Sequence, residues 1–338
     1  MLLLVSILLS VVLSWITIKL APKIGLMDIP GSAAHKKHNN PIPLTGGVVL
    51  IDTLIIMFIF TGMWKEYEIG PIFFAGVIIG IFGLLDDFLH LPPLKKFIGQ
   101  LFGAVLLLFM GVQVSIFGSP EFIFRTSTFF DSWLNLSITI LWLITLTNAF
   151  NFIDSYDGLS VGLGGLSSAF FLLISLSTGQ SSVIYFSAIL LGICIGLYFF
   201  NSFPAKLFLG DSGAQTLGFL LGSIAIIYDP NTGTQSSTWF VPILIFYVPL
   251  FDFALVIVSR FRRKKRIHMA SNDHTYHRLS QRGIPTHRSV LTLHGMSLVM
   301  SMVGYLCLNL PVFFANVVFF LTITLGIVIF LVLDINYK

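Results

Sequence analysis

The sequence predicts an all-α polytopic membrane protein with about eleven transmembrane helices, its N-terminus outside and its C-terminus cytoplasmic. The chain is 56% hydrophobic and 10% charged and contains 34 Phe, with a mean hydropathy of +0.93. No globular surface could hide so much hydrocarbon from water. The apolar residues form continuous blocks rather than an alternating pattern, which argues against a β-barrel. The third observation is that nearly all Lys and Arg residues fall in the segments on one predicted side of the membrane.

The apolar blocks give the predicted spans in order. Each is roughly 20 residues long or a little shorter, and they cover 2–20, 46–63, 70–85, 96–117, 132–148, 159–177, 182–200, 213–228, 238–258, 289–308 and 311–332. The first span has no basic residue before Lys19. It therefore lacks the positively charged start of a cleaved signal peptide, and we expect it to remain in the membrane.

This topology places nearly all positive charge on one side. Of the 19 Lys and Arg residues, all except Lys65 and Arg125 fall on the predicted cytoplasmic side, as the positive-inside rule requires. The basic segment 260–266 is a topogenic charge block that could also attract phosphate. We expect a single integral membrane domain in the cell (plasma) membrane, with cytoplasmic loops near 21–45, 86–95, 149–158, 201–212 and 259–288.

The cytoplasmic loops concentrate the carboxylates of the chain. Adjacent carboxylates such as Asp86 and Asp87 repel each other unless a hard divalent cation neutralises them, so one could bind a metal while the other accepts a proton. Asn151, Asp154 and Asp157 are spaced three residues apart, which places them on one face if the segment is helical. The alternative is a set of helix caps in a solvated loop.

The ligand types in these loops favour Mg²⁺ or Mn²⁺ over zinc, because they are oxygen atoms without a cysteine cluster. His274, His277 and Arg278 could bind a phosphate or anchor the interface. Gly210 and Asp211 open a span whose free amides could receive an anion. These residues predict metal-assisted phosphoryl transfer at the cytoplasmic membrane face, with a lipid as one substrate. Nothing in the sequence points to a nucleic acid as partner.

Five ordered motifs resemble the polyprenyl-phosphate N-acetylhexosamine-1-phosphate transferases, a family that also contains phospho-N-acetylmuramoyl-pentapeptide transferase. They are the basic segment at His35–His38, the Asp86-Asp87 pair, the Asn151…Asp157-Gly158 pattern, Phe208-x-Gly210-Asp211, and the histidine segment 274–278. The resemblance implies transfer of a sugar 1-phosphate from a UDP-amino sugar to undecaprenyl phosphate in the membrane, with release of UMP. A homodimer is possible.

The resemblance also implies roles for individual residues. Asp211 and Asp87 are expected to bind the metal ion, and Asp86 to act as a base or to orient the lipid phosphate. The remaining catalytic candidates are Asp87, Asp154, Asp157, His274 and His277. The candidates for substrate binding are Lys36, His38, Asn151, Asn201, Phe208, Asp252 and Arg278. Phe208 would stack on uracil, with Asn201 close to the nucleotide. Asp252 would either face the site or form only local hydrogen bonds.

Three positions depart from the family pattern. Ser155 stands where glycine is frequent, which would reshape the nucleotide loop. The basic motif begins with His35-Lys36 instead of Arg-Lys. Tyr276 replaces a histidine in the late cluster, which argues against the pentapeptide branch and fits the N-acetylglucosamine branch better.

A secondary transporter is the alternative from a different class, because Asp52 and Asp252 lie inside predicted spans and could carry protons or cations. A transporter would concentrate its polar groups near the middle of the bilayer. Here the motifs gather at span ends on one side, and no internal repeat is visible.

Overall fold

The computed structural model describes residues 1–30, 40–117, 128–229, 239–265, 273–335 and 337. Within these ranges the chain is predominantly helical, with one short antiparallel ladder between Met27–Asp28 (β1) and Ile42–Pro43 (β2). A 3₁₀ turn spans Met63–Lys65. The helices are α1 (Leu2–Ile24), α2 (Gly46–Thr61), α3 (Ile69–Leu89), α4 (Pro93–Phe109), α5 (Thr128–Ile153), α6 (Leu159–Thr178), α7 (Ser181–Asn201), α8 (Gly210–Ile227), α9 (Val241–Ile245), α10 (Tyr247–Arg262), α11 (Thr275–Gln281), α12 (Thr286–Cys307) and α13 (Val312–Ile335).

The protein is a polytopic helical membrane protein. Among the described residues, seven helices are long and apolar enough to cross a bilayer, namely α1, α3, α5, α6, α7, α12 and α13. Each coincides with one predicted span. The other four predicted spans fall on α2, on α4, on α8 and on α9 together with α10, which are shorter or more polar. The total of eleven spans and the sidedness of the termini remain predictions.

The predicted span at 238–258 is broken into two helices. α9 ends at Ile245 and α10 begins at Tyr247, with Phe246 between them at φ −94° and ψ 21°. Pro249 explains the break, because its ring would clash with the carbonyl group of Ile245 in a continuous helix. Asp252 therefore lies in the second turn of a separate helix, α10.

Many helix ends meet at one face of the bundle. The amide of Gly46, at the start of α2, donates to the carbonyl oxygen of Phe208 just before α8 at 2.9 Å. The amide of Gly158, just before α6, donates to Asn201 at the end of α7 at 3.1 Å. Asp87 in the last turn of α3 reaches the start of α8. The described parts of four of the predicted cytoplasmic loops therefore meet at one end of the molecule.

Helix α8 lies at the centre of this arrangement. Every residue from Ser212 to Ala225 is buried, and the helix packs against α2, α3, α5 and α6. A helix that is buried on all sides is expected in the core of a bundle. Glycines allow the close approach at its first turn: a Cβ on Gly83 of α3 would lie 2.5 Å from Ser212 Cα, and one on Gly47 of α2 would overlap the Ser212 hydroxyl. The first turn of α8 is therefore held between α2 and α3.

Candidate active site

Carboxylates from two helix ends converge on a lysine from a third. Lys96 Nζ, in the first turn of α4, lies 2.5 Å from Asp86 Oδ2 and 2.8 Å from Asp211 Oδ2. Asp86 is 2% exposed, and its other oxygen accepts a hydrogen bond from the amide of Leu91 at 2.8 Å. The lysine ammonium thus stands between two carboxylates that would otherwise repel each other.

Asp87 joins the site through the backbone of α8. Its Oδ1 accepts the amide of Asp211 at 2.7 Å, and its Oδ2 accepts both the amide and the hydroxyl of Ser212, at 3.1 and 2.5 Å. The first amides of a helix have no partner inside the helix, so a carboxylate placed there satisfies them and also opposes the positive end of the helix dipole. Asp87 therefore fixes where α8 presents Asp211.

A layer of amide side chains supports this cluster. Asn151 Nδ2 donates to Asp211 Oδ1 at 2.5 Å. One helical turn earlier, Asn148 donates to Gln100 Oε1 at 2.7 Å, and Gln100 in turn donates to Gln215 Oε1 at 3.0 Å. These bonds connect α4, α5 and α8. A buried amide without a partner would be destabilising, so these bonds keep the polar ends of the helices in this orientation.

The turn between α5 and α6 does not form the continuous helical stripe that the spacing of Asn151, Asp154 and Asp157 suggested. Helix α5 ends at Ile153, so only Asn151 projects from helical backbone. Asp157 instead turns toward the loop after α7, where its Oδ2 accepts the amide of Ala205 at 2.9 Å. Gly158 follows with φ 74°, a left-handed conformation that glycine adopts without strain.

Asp154 is the second carboxylate of this turn, and it differs from Asp157 in its contacts. In the described ranges no hydrogen bond to its side chain is found, and burial, followed by the charges of Asp211, Asp87 and Asp157, raises its pKa well above the ordinary value. A carboxyl group whose pKa is raised in this way, close to other acidic groups, is a common feature of catalytic sites.

The loop between α7 and α8 brings in Asn201 and Phe208. Asn201 is buried; it accepts the amide of Gly158 and donates to the carbonyl oxygen of Leu207 at 3.0 Å. Phe208 is half-buried, and its amide donates to Pro43 at 2.8 Å. Asn201 thus holds two loops together, while the Phe208 ring is partly open to a ligand at the same face.

The histidine segment is organised by Asp252 on α10. Asp252 Oδ2 lies 2.8 Å from His274 Nδ1, and Oδ1 accepts the amide of Thr275 at 2.6 Å. This carboxylate therefore caps the N-terminus of α11 and orients the His274 ring. The Nε2 atom of His274 is left for another partner. His274 also stands edge-on to Phe152 of α5, with ring centroids 6.5 Å apart. His277 lies beside Tyr276 at 4.1 Å between ring centroids.

The environment of Arg278 does not support the predicted contact with phosphate. Arg278 is 1% exposed. Its guanidinium donates to Asp334 Oδ1 at 2.9 Å and to the carbonyl oxygens of Asp273 and Leu333, and it lies 4.1 Å from the centre of the Tyr337 ring. The side chain is committed to the C-terminal end of the chain. These contacts give Arg278 a structural role, and its contact with a phosphate stays a prediction.

Two predicted substrate-binding residues, Lys36 and His38, lie outside the described residues. Among the residues that are described, no group of three His, Cys, Asp or Glu side chains is arranged to hold a metal ion. The nearest approximation is the set of Asp86, Asp87 and Asp211. In that set Lys96 takes the cation position between Asp86 and Asp211.

Lys96 is the main site residue that sequence reasoning missed, since it was counted only as a topogenic charge. A signal was available: a lysine in the first turn of a helix faces the positive end of the helix dipole, which is unfavourable without an acidic partner. Gln100 and Ser212 were also not assigned to the site. Gln100 could have been noticed as an amide side chain inside the predicted span 96–117, where a polar group needs a partner.

The helical membrane fold and its acidic face define a class of integral membrane proteins with a polar site at converging helix ends. Comparison with known proteins specifies the family. The model of Glycosyl transferase family 4 matches residues 69–229. A probable undecaprenyl-phosphate N-acetylglucosaminyl 1-phosphate transferase of Bacillus subtilis is 30% identical, over 88% of this chain and 81% of its own length.

Other relatives come from both branches of the family. A decaprenyl-phosphate N-acetylglucosaminephosphotransferase of Mycobacterium leprae is 29% identical over 76% of this chain and 71% of its own length. A phospho-N-acetylmuramoyl-pentapeptide-transferase of Halalkalibacterium halodurans is 28% identical over 81% of this chain and 85% of its own length. The chain belongs to glycosyltransferase family 4, the family of polyprenyl-phosphate sugar-1-phosphate transferases.

Proposed function

We propose that this protein transfers N-acetylglucosamine 1-phosphate from UDP-N-acetylglucosamine to undecaprenyl phosphate and releases UMP. The observation that carries the proposal is the convergence of Asp86, Asp87, Lys96 and Asp211 from three helix ends at one face of the bundle. Phosphoryl transfer depends on positioning and on electrostatic stabilisation rather than on covalent catalysis by the protein. A rigid charged cluster at the boundary between lipid and water meets both requirements.

In the proposed reaction, an oxygen of the lipid phosphate attacks the sugar-bearing phosphorus of the donor. The new P–O bond forms while the bond to the UMP oxygen breaks, so the products are UMP and a lipid-linked diphospho-sugar. Asp86 orients the lipid phosphate or removes its remaining proton, and Lys96 offers it a positive charge. Phe208 would stack on the uracil ring, with Asn201 close to the nucleotide as the residue that holds the neighbouring loops together. His274, oriented by Asp252, would contact a phosphate.

The donor chemistry of the acidic residues suits a divalent cation. Asp86, Asp87 and Asp211 present only oxygen atoms, the donor type that Mg²⁺ and Mn²⁺ prefer, although these side chains are not gathered around one point among the described residues. We propose Asp211 and Asp87 as the ligands. Bound there, the cation would neutralise the diphosphate and stabilise the charge that develops on the leaving UMP.

The site would lie on the cytoplasmic face of the cell membrane. The helix ends that form it border the loops richest in Lys and Arg, and the positive-inside rule assigns such loops to the cytoplasm. A nucleotide sugar is a cytoplasmic metabolite with a charged diphosphate, so a site that opens on that side needs no transport of the donor.

A donor screen tests the proposal. Membranes containing the protein receive undecaprenyl phosphate and one of UDP-N-acetylglucosamine, UDP-N-acetylgalactosamine or UDP-N-acetylmuramoyl-pentapeptide, and UMP release is measured. We expect UMP with a plain N-acetylhexosamine donor and none with the peptide-bearing one. Activity with the peptide-bearing donor alone would assign the pentapeptide branch instead. Transport of a solute without UMP formation would favour a secondary transporter.

A further inference from the structure

Two of the positions at which the sequence departs from the family pattern contact each other. Tyr276 Oη, on α11, lies 2.8 Å from Ser155 Oγ and 3.3 Å from the Ser155 carbonyl oxygen. Ser155 Oγ in turn donates to the carbonyl oxygen of Phe152 at 3.2 Å. Phe152 belongs to the last turn of α5, whose final carbonyl groups have no partner inside the helix. A chain of two hydrogen bonds therefore connects α11 to the end of α5.

The tyrosine end of this chain is rigid. Tyr276 is 2% exposed, and its ring contacts those of His274 and His277, with centroid separations of 5.7 and 4.1 Å. It also contacts the Tyr156 ring at 5.6 Å. The helix that carries it is anchored by Asp252, which accepts the amide of Thr275. The hydroxyl of Tyr276 is thus presented from a fixed position.

The other end of the chain adjoins Asp154. No hydrogen bond holds the Asp154 side chain in the described ranges, so its position depends on the backbone of the turn. The second half of that turn is held by the bonds of Asp157 to Ala205 and of Gly158 to Asn201. In the first half, the side-chain bonds that hold the turn are those of Ser155.

We propose that the Tyr276–Ser155 hydrogen bond is a latch that positions Asp154 toward Asp211 for the transfer reaction. This inference rests on the proposed function, and it makes Tyr276 and Ser155 positioning residues, since their contacts are with the protein. The latch joins the histidine segment on α11 to the carboxylate turn after α5. The two halves of the site therefore move as one unit.

The test compares Tyr276→Phe, Ser155→Ala, the double variant and the control Tyr305→Phe, whose hydroxyl lies on α12 away from the turn. Tyr276→Phe keeps the stacked ring and removes only the hydroxyl. We expect each single variant to lower kcat by about threefold to tenfold, the rate equivalent of one hydrogen bond, with the KM for the donor nearly unchanged. The double variant should lose no more than the single ones, because both remove the same bond.

Hydrogen exchange measured on the same proteins gives a readout that does not depend on activity. Amides of residues 152–158 should exchange faster in Tyr276→Phe and Ser155→Ala, but not in Tyr305→Phe, while the first turn of α8 stays protected. Unchanged exchange in residues 152–158, or kcat losses that add in the double variant, would overturn the latch. If the wild-type protein releases no UMP, the proposed function fails, and hydrogen exchange alone still decides whether the latch exists.

Discussion

Lys96 shows how one residue sets the charge balance of the site. Asp86 is almost fully buried, and Asp211 lies beside it. Among the described residues, the ammonium group of Lys96 pairs with both carboxylates and offsets their repulsion. In the catalytic state a divalent metal ion would add positive charge at the same place. The lysine and the metal ion then share the task of keeping two carboxylates ionised within a few ångströms of each other.

Replacing this lysine should make the folded protein depend on metal. We expect Lys96→Met to lower the free energy of unfolding in EDTA by about 1–2 kcal/mol, a modest value because the side chain is 32% exposed and solvent screens the pair. Added Mg²⁺ should then raise the melting temperature more than it does in the wild type. Lys95→Met is the matched control, since Lys95 is exposed on the same turn. Equal Mg²⁺ responses in both variants would contradict the shared role.

Asp211 should be indispensable for turnover. We expect Asp211→Asn to reduce UMP release by about three decades or more, because metal and electrostatic contributions at a phosphoryl centre are each worth several kcal/mol. The variant should still insert into membranes, which fractionation and detergent extraction will show. Near-normal turnover in Asp211→Asn would remove Asp211 from the metal site.

We expect the Asp154 carboxylate to lower the stability of the folded protein and to be needed for turnover. Its raised pKa means that the folded state resists ionisation of this group, so stability falls as the pH rises from the ordinary pKa through the raised one, and the loss persists above it. We expect Asp154→Asn without metal to melt at the same or a higher temperature than the wild type at pH 7, with the difference vanishing near the ordinary pKa. Its UMP release should fall. A lower melting temperature at pH 7 would show that the carboxylate stabilises the fold.

At the scale of elements, the start of α8 depends on a residue of another helix. Asp87 accepts two amides and one hydroxyl from the first turn of α8, although it was predicted from sequence as a catalytic and metal-binding residue. The Asp87 side chain thus caps the N-terminus of the helix that carries Asp211. It is also a member of the acidic cluster. Asp252 starts α11 in the same way.

The two proposed roles of Asp87 separate in a pair of substitutions. Asp87→Ala should lower the free energy of unfolding by about 1–2 kcal/mol, the usual effect of losing a helix cap. Asp87→Asn keeps one acceptor oxygen and should lose less stability. Both should lose activity if the negative charge serves the metal ion. Thermal unfolding and UMP release of the two variants provide the comparison, and an active Asp87→Asn would leave only the capping role.

At the scale of the whole molecule, ion pairs bind the C-terminal helix to α10 and α11. Arg278 and Arg262 both pair with Asp334 near the end of α13, at 2.9 and 2.8 Å. Arg263 and Arg260 pair with Asp273, just before α11. The arginines at the end of α10, which belong to the predicted topogenic block, therefore also hold α10 to α13 and to the start of α11.

Breaking this network should destabilise the molecule without changing the chemistry. We expect Arg278→Ala to lower the free energy of unfolding by about 1–3 kcal/mol, because the carbonyl oxygens of Asp273 and Leu333 lose this donor and Asp334 is left with Arg262. Lys264→Ala, which removes an exposed charge from the same segment, should have little effect. Melting temperatures in detergent measure both. A loss of kcat in folded Arg278→Ala at unchanged stability would restore Arg278 to the substrate site.

The sequence by itself determined the membrane class, the position of most helices and the grouping of acidic motifs at one face, because hydropathy and charge distribution are local properties of the chain. It did not determine that α5 ends before Asp154, that Arg278 faces the C-terminus, or that Lys96 lies between Asp86 and Asp211. Those facts depend on contacts between residues far apart in sequence. Only the tertiary structure decides them, because a side chain takes its partner from the helices packed around it.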